Sequence, residues 1–172
     1  ATLALTLALA GLLVSPARAE RAWAIDNRTL LVGFDTDRPF LINELLYITG
    51  LRPGEQILAI DFRPANGRLY ALGSSSRLYT LDLETGAASV VGSGAAFTPA
   101  LSGTEFGFDF NPTVDRIRLV SNTGQNLRLH PDTGMVAATD TPLNYADGST
   151  PNIIGSAYTN SFAGATTTTL FN

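Results

Sequence analysis

The sequence predicts an all-β chain, a β-propeller-like array of four-stranded antiparallel blades, on three observations. Ile60-Asp61-Phe62-x-Pro64 recurs 48 positions later as Phe108-Asp109-Phe110-x-Pro112. Leu81 and Thr85-Gly86 recur at the same offset as Leu129 and Thr133-Gly134. Short apolar segments alternate with Gly, Asn and Ser turn signals, the pattern of short strands and tight turns. A period of this length that carries several strands per copy is the mark of a blade array.

The chain opens with an apolar run from Ala1 to Val14, followed by Ser15-Pro16-Ala17-Arg18-Ala19. A run of this length ending in a small-x-small tripeptide reads as a secretory signal, with cleavage expected after Ala19. It is short of the roughly 20 apolar residues that a spanning helix needs. Residues 20–172 then form a partial propeller domain, with blade segments at about 22–48, 55–92, 105–139 and 153–172.

In the clearest unit, Ile57 to Phe62 is nearly all apolar and reads as an innermost strand buried on both faces. Asn66-Gly67 supplies the positive φ angles of a tight hairpin, and Arg68 to Leu72 returns. Ser74-Ser75-Ser76 turns the chain into Arg77 to Leu83, Thr85-Gly86 turns it again, and Ala88 to Val91 closes the unit. The next unit follows the same plan, with Asp115 at the position of Gly67. The last begins at Ile153, carries Tyr158 at the position of Phe62 and Phe110, and replaces the hairpin with Ser161-Phe162-Ala163-Gly164. The first, with Trp23-Ala24-Ile25 and Phe34-Asp35 in register with later strands, lacks an innermost strand. The expectation is a truncated propeller closed by sequence beyond Asn172. An open array with pairing edges is the alternative.

Composition narrows the chemistry. Cysteine and lysine are absent, and all eleven cations are arginine. Thiol chemistry, Schiff-base catalysis and a P-loop lysine are therefore excluded within these residues. Fifteen carboxylates leave a formal net charge of -4, and no basic run tracks a phosphate backbone, so nucleic acid is not an expected partner. No second apolar segment approaches spanning length. The expected product is secreted, periplasmic or extracellular, without a membrane span once the signal is removed.

Several segments resemble the bacterial secreted family called domain of unknown function 4394. They are Ile60 to Gly73, Phe97 to Thr104, Gly107 to Leu129 with its Phe108-Asp109-Phe110-Asn111-Pro112 core, and Ala157 to Gly164. The resemblance covers the chain from about Trp23 to its end. It implies a secreted, propeller-like bacterial domain and carries no catalytic residue over, because the family has no assigned activity.

His130 is the only histidine, so a Ser-His-Asp triad or a histidine-ligated metal would have to use it. Its repeat equivalent is Asp82, and both precede a hairpin, which favours a solvated turn residue. Asp61 and Asp109 recur on two inner strands, where paired carboxylates suit Ca²⁺ binding or acid–base work. A residue that repeats blade by blade more often accepts backbone N–H bonds, here from the following turn. Asn27-Arg28-Thr29 matches a glycosylation sequon, and Asp35-Thr36-Asp37 matches part of a calcium loop; both signals are weak.

The residues that break the repeat point to a binding rim. Ser121 to Asn126 replaces a plain serine turn with amides, and strand direction puts it at the same end as the connections 92–104 and 140–152. Long polar loops on a rigid scaffold commonly carry binding sites. The candidates are Asn122, Gln125, Asn126, Asn144, Tyr145, Asp147 and Asn152, whose amides and aromatic ring suit sugar hydroxyls or Ca²⁺.

The leading expectation is a non-enzymatic binding or scaffold module for a polar small molecule, glycan or surface protein. The first alternative is a Ca²⁺-dependent propeller hydrolase or lactonase using Asp61, Asp109, Asn122 and Asn126. The second is a structural cell-surface or matrix domain that assembles through its edges. Fold alone does not choose among them.

Overall fold

The computed structural model describes residues 20–172; the expected signal and its cleavage site lie outside the described residues. Those residues form strands, turns and loops, with no helix among them. The first sheet is three-stranded: β1 (Arg21–Asp26), β2 (Leu30–Asp35) and β3 (Ile42–Tyr47). The second is four-stranded: β4 (Ile57–Phe62), β5 (Leu69–Gly73), β6 (Arg77–Leu81) and β7 (Ala88–Val90). The third repeats that order with β8 (Phe106–Asn111), β9 (Arg116–Ser121), β10 (Asn126–Leu129) and β11 (Val136–Thr139). A short pair, β12 (Ala157–Tyr158) and β13 (Leu170–Phe171), ends the chain. Every neighbouring pair within a sheet is antiparallel. Across sheets, β4 packs on β8 and β8 on β12.

Turn chemistry explains the recurrence of the meander. Gly67 and Asp115 both adopt left-handed backbone, at φ 67° and 51°. Their N–H groups bond back to Arg63 O at 2.8 Å and Asn111 O at 3.0 Å. Glycine and aspartate are among the residues that tolerate that region, so the exchange preserves the turn. At the next hairpin the Gly86 and Gly134 N–H groups bond to the carbonyls of Asp82 and His130, both at 2.9 Å. The Asp82 carboxylate accepts from the Thr85 N–H at 2.8 Å, and His130 Nδ1 accepts from the Asp132 N–H at 3.2 Å. His130 thus caps the same turn that Asp82 caps one unit earlier.

Two clusters make the core. Leu31, Ile57, Leu69, Ala71, Tyr79 and Leu81 pack between the first and second sheets. Tyr70, Leu72, Leu78, Phe97, Phe108, Phe110, Ile117, Leu119, Leu127 and Leu129 pack between the second and third. Successive residues of a strand face opposite ways, so Leu69 and Ala71 serve one cluster and Tyr70 and Leu72 the other. The strand buried on both faces is therefore β5, not the expected β4, where only Ile57 is fully buried. The reason is position: β5 lies inside its sheet with a sheet packed on each face, whereas β4 is its sheet's edge.

The sheets sit close enough for hairpin glycines to touch the neighbouring backbone. A Cβ on Gly86 would clash with Tyr47 O, while a Cβ on Gly67 would meet open space. Both residues hold positive φ, at 74° and 67°. Gly67→Ala should cost about 1 kcal/mol, the left-handed backbone penalty alone. Gly86→Ala should cost about 3 kcal/mol, because overpacking against a backbone atom is added. Urea denaturation of the two variants checks the ranking.

Candidate functional site

The paired aspartates connect sheets. Asp61 on β4 accepts the Phe110 N–H of β8 at 2.7 Å, and Asp109 on β8 accepts the Tyr158 N–H of β12 at 2.6 Å. The bonds come from the adjacent first strand, not from the following turn. The two carboxyls lie close enough for each to influence the other's titration. Burial, and next the charge of Asp109, push Asp61 up to about 8. Burial likewise raises Asp109, against the Tyr158 N–H and Asp61, which hold it down. Two adjacent half-buried carboxylates repel, which favours protonation of the pair. Calcium takes six to eight oxygen ligands, and both these carboxyls already accept backbone N–H bonds. Among the described residues no group of three or more His, Cys, Asp or Glu gathers as a metal site.

At the hairpin end a second cross-sheet contact is ionic. The Arg63 guanidinium is only 11% exposed; it pairs with Asp115 and reaches Asp132 at 2.6 Å. It donates to the Tyr70 hydroxyl at 3.2 Å and stands over the Tyr70 ring, 5.9 Å from its centroid. The Arg63 bond holds the Asp132 carboxyl below its ordinary range. Asp115 therefore both makes the left-handed turn and receives the arginine of the preceding sheet. Within the third sheet Arg118 donates to Asn126 Oδ1 at 2.5 Å and Asp140 at 2.6 Å, and Arg128 completes the cluster on Asp140 at 2.7 Å.

The opposite, loop-rich end is fastened by amides. Asn122 Oδ1 accepts the Thr104 N–H at 3.0 Å, and its Nδ2 donates to Thr104 Oγ1 at 3.1 Å. Gln125 Oε1 accepts the Ser102 N–H at 3.1 Å, and its Nε2 donates to Ala100 O at 2.8 Å. Asn126 Nδ2 donates to Thr141 O at 3.0 Å, and the Leu143 N–H reaches Gly124 O at 3.2 Å. The turn between β9 and β10 thus holds both long connections. On the second sheet, buried Glu55 organises the equivalent turn by accepting from the Ser75 N–H at 2.7 Å, the Ser75 hydroxyl and the Tyr79 hydroxyl at 3.1 Å. Burial pushes Glu55 up, but these bonds and nearby Arg77 outweigh it and leave the carboxyl low.

The candidate rim residues fall into three groups. Asn122, Gln125 and Asn126 come together but spend their amides internally. Asn144 and Asp147 bond within their own loop, Asn144 to Pro142 O at 3.1 Å and Asp147 from the Ser149 N–H at 2.9 Å. Tyr145 and Asn152 border an open hollow of about 420 Å³ beside Ile154 and Phe171. A separate hollow of about 290 Å³ lies where the β1–β2 turn, the β5–β6 turn and the first connection meet. Arg28, Leu58, Ser74, Leu101, Thr104 and Phe106 line it, and none of the candidate rim residues does. A groove of about 460 Å³ runs along the hairpin end of the second sheet, past Arg68 and Asp82.

The model of the family described as Domain of unknown function (DUF4394) matches residues 30–172. The chain belongs to that family. No curated protein and no solved structure matches the chain. The match spans Asp61, Asp109, the Arg63 contacts and both long connections, so these features lie within the family's extent.

Arg28, Ser74 and Thr104 were not legible as site residues, because they sit in turns whose convergence depends on how separate sheets pack. The one local signal was the Asn27-Arg28-Thr29 segment, noted only as a weak sequon; the structure makes it a turn with Arg28 at φ 61°.

Two outcomes follow from the cross-sheet contacts. Folded Asp61 keeps its proton to higher pH than an unfolded aspartate, near 4. Unfolding therefore releases a proton between about 4 and about 8. Stability from this group should be full below about 4 and fall by up to about 1.4 kcal/mol per pH unit as pH rises through that window. Asp61→Asn, neutral and similar in shape, should flatten the slope in urea titrations from pH 4 to 9. Arg63→Gln should cost about 2 kcal/mol at pH 7, the scale of lost hydrogen bonds to charged groups. Asp115→Asn should cost less, because Asn keeps the left-handed turn.

Proposed function

We propose that this chain is an exported, propeller-like β array that works as a non-enzymatic binding or scaffold module, holding a polar ligand or glycan at its loop-rich end. The observation that carries the reading is the way that end is built. Both long connections are bonded to the β9–β10 turn through Asn122, Gln125, Asn126 and Gly124. The result is an ordered set of polar loops on a packed scaffold, and such preorganisation lowers the entropic cost of binding.

The distribution of titratable groups supports binding over catalysis. The Asp61–Asp109 pair accepts N–H bonds between sheets, and His130 caps a hairpin. A general acid or base needs a proton-transfer partner in reach of substrate, and these groups are engaged with backbone. The propeller reading itself rests on the consecutive packing of β4, β8 and β12 and on the shared strand order of two sheets.

One observation favours the assembling domain as a second reading. Phe40, Leu41, Ile42, Leu45 and Tyr47, on or beside edge strand β3, are each more than half exposed, and Phe40 is 97% exposed. Exposed apolar edge strands invite pairing with other chains.

Thermal unfolding of the full chain across a saccharide panel tests the binding reading. A ligand at about 100 times its Kd should stabilise by about 2.7 kcal/mol. Asn122→Ala should weaken that ligand by loosening the Thr104 segment. If no ligand shifts the transition while sedimentation shows oligomers that Ile42→Lys disperses, the assembling reading replaces it.

A further inference from the structure

We propose that the hollow of about 290 Å³ at the loop-rich end binds a small amphipathic carboxylate, with Arg28 as its anion anchor. The inference deepens the binding reading above and rests on it, because it names the ligand class for that end of the molecule.

Arg28 is the first ground. Its backbone is held at φ 61°, and its carbonyl accepts the Ile57 N–H of β4 at 3.1 Å, so the turn is fastened to the second sheet. A guanidinium has five N–H donors. The one hydrogen bond it makes among the described residues is from Nη1 to Gln56 Oε1, at a long 3.4 Å. Arg21, Arg63, Arg118 and Arg128 each face a carboxylate, whereas Arg28 faces none among the described residues. Its donors remain for a ligand, and guanidinium geometry matches a carboxylate through two parallel bonds.

The floor and rim supply the rest. Leu58, Leu101 and Phe106 are half-buried and pack on the core between the second and third sheets, so the bottom of the hollow is fixed and apolar. Thr104 Oγ1 accepts from Asn122 Nδ2, which leaves its O–H proton for a ligand oxygen. Asn122 is thus a positioning residue for Thr104. Gly103 holds φ 114°, and a Cβ there would meet Asn122 Oδ1, so the loop can lie this close to the turn only with glycine. Ser74 accepts the Gln56 N–H at 3.0 Å and completes the polar margin.

Charge sets the class. One unpaired cation suits a monoanion, whereas a phosphate or sulfate dianion is usually held by several cations or by backbone N–H groups. The apolar floor takes a short alkyl or aryl tail, and the volume sits at the lower end of small-molecule sites. The Glu55 carboxylate accepts from Ser74 Oγ at a long 3.4 Å and is otherwise engaged by Ser75 and Tyr79.

Hexanoate and its neutral counterpart hexanamide, titrated into the full chain and followed by amide NMR and calorimetry, test the inference. Hexanoate should shift the amides of Ser74, Gly103 and Thr104 and bind at least about tenfold more tightly than hexanamide, the scale of one charge-assisted bond. Arg28→Gln should remove that preference without changing the thermal transition, and Arg28→Lys should keep part of it. Equal affinity for the two ligands, an unaffected Arg28→Gln, or no binding at millimolar hexanoate overturns the carboxylate class. If a neutral saccharide then binds the same loops independently of Arg28, the carboxylate class fails while the broader binding reading stands.

Discussion

A half-buried carboxyl that accepts a backbone N–H from the next sheet is the contact on which the rest of the architecture depends. Asp61 reaches Phe110 N and Asp109 reaches Tyr158 N. The first strands of adjacent sheets are edges, and they pack without forming a shared ladder. Each leaves backbone donors at a partly buried interface between sheets, where an unbonded N–H is costly. A side chain long enough to span the gap, repeated once per unit, satisfies these donors and fixes how one sheet sits on the next. Bringing the carboxyls together in turn favours protonation of the pair, since two adjacent charges in that setting repel.

The remaining polar contacts divide by position. At the hairpin end the sheets are joined by charge, through Arg63 with Asp115 and Asp132. At the loop-rich end they are joined by neutral amides, through Asn122 and Gln125. Amides satisfy loop backbone without adding a fixed charge, so the loop end keeps a margin of hydroxyls with Arg28 as an uncommitted cation. Rigidity and ligand-facing chemistry are thereby supplied by different residues. Asn122 illustrates the separation: it lines neither hollow, yet it sets the orientation of Thr104, which does.

Much of the fold was legible because turns are local. Gly67 and Gly86 specify turns through left-handed backbone angles that few residues accept, whereas Asn66, expected to share them, does not, and the counterparts Asp115 and Gly134 keep those angles. Family membership was legible for the same reason, since the motifs that carry it are contiguous. The candidate site was less legible. Asn122, Gln125 and Asn126 read as ligand-facing because amides in loops commonly are, yet the same donors and acceptors serve a neighbouring loop equally well. A short segment does not show which partner it meets. The buried strand was misplaced on similar grounds: β4 and β5 are comparably apolar, and only the stacking of the sheets distinguishes them.

The sequence by itself determined an all-β chain, the order of strands within each sheet, the places of the turns and the family. These follow from alternation, glycine and aspartate placement, and recurrence, which act over a few residues. Tertiary structure alone decided that the repeated aspartates bridge sheets, that the loop amides bind loops, and that Arg28 meets Thr104 and Phe106 around one hollow. The physical reason is range. Backbone torsion and burial preference are properties of neighbouring residues, whereas the partner of a polar side chain is set by packing across sheets, where residues 49 to 69 positions apart come within bonding distance.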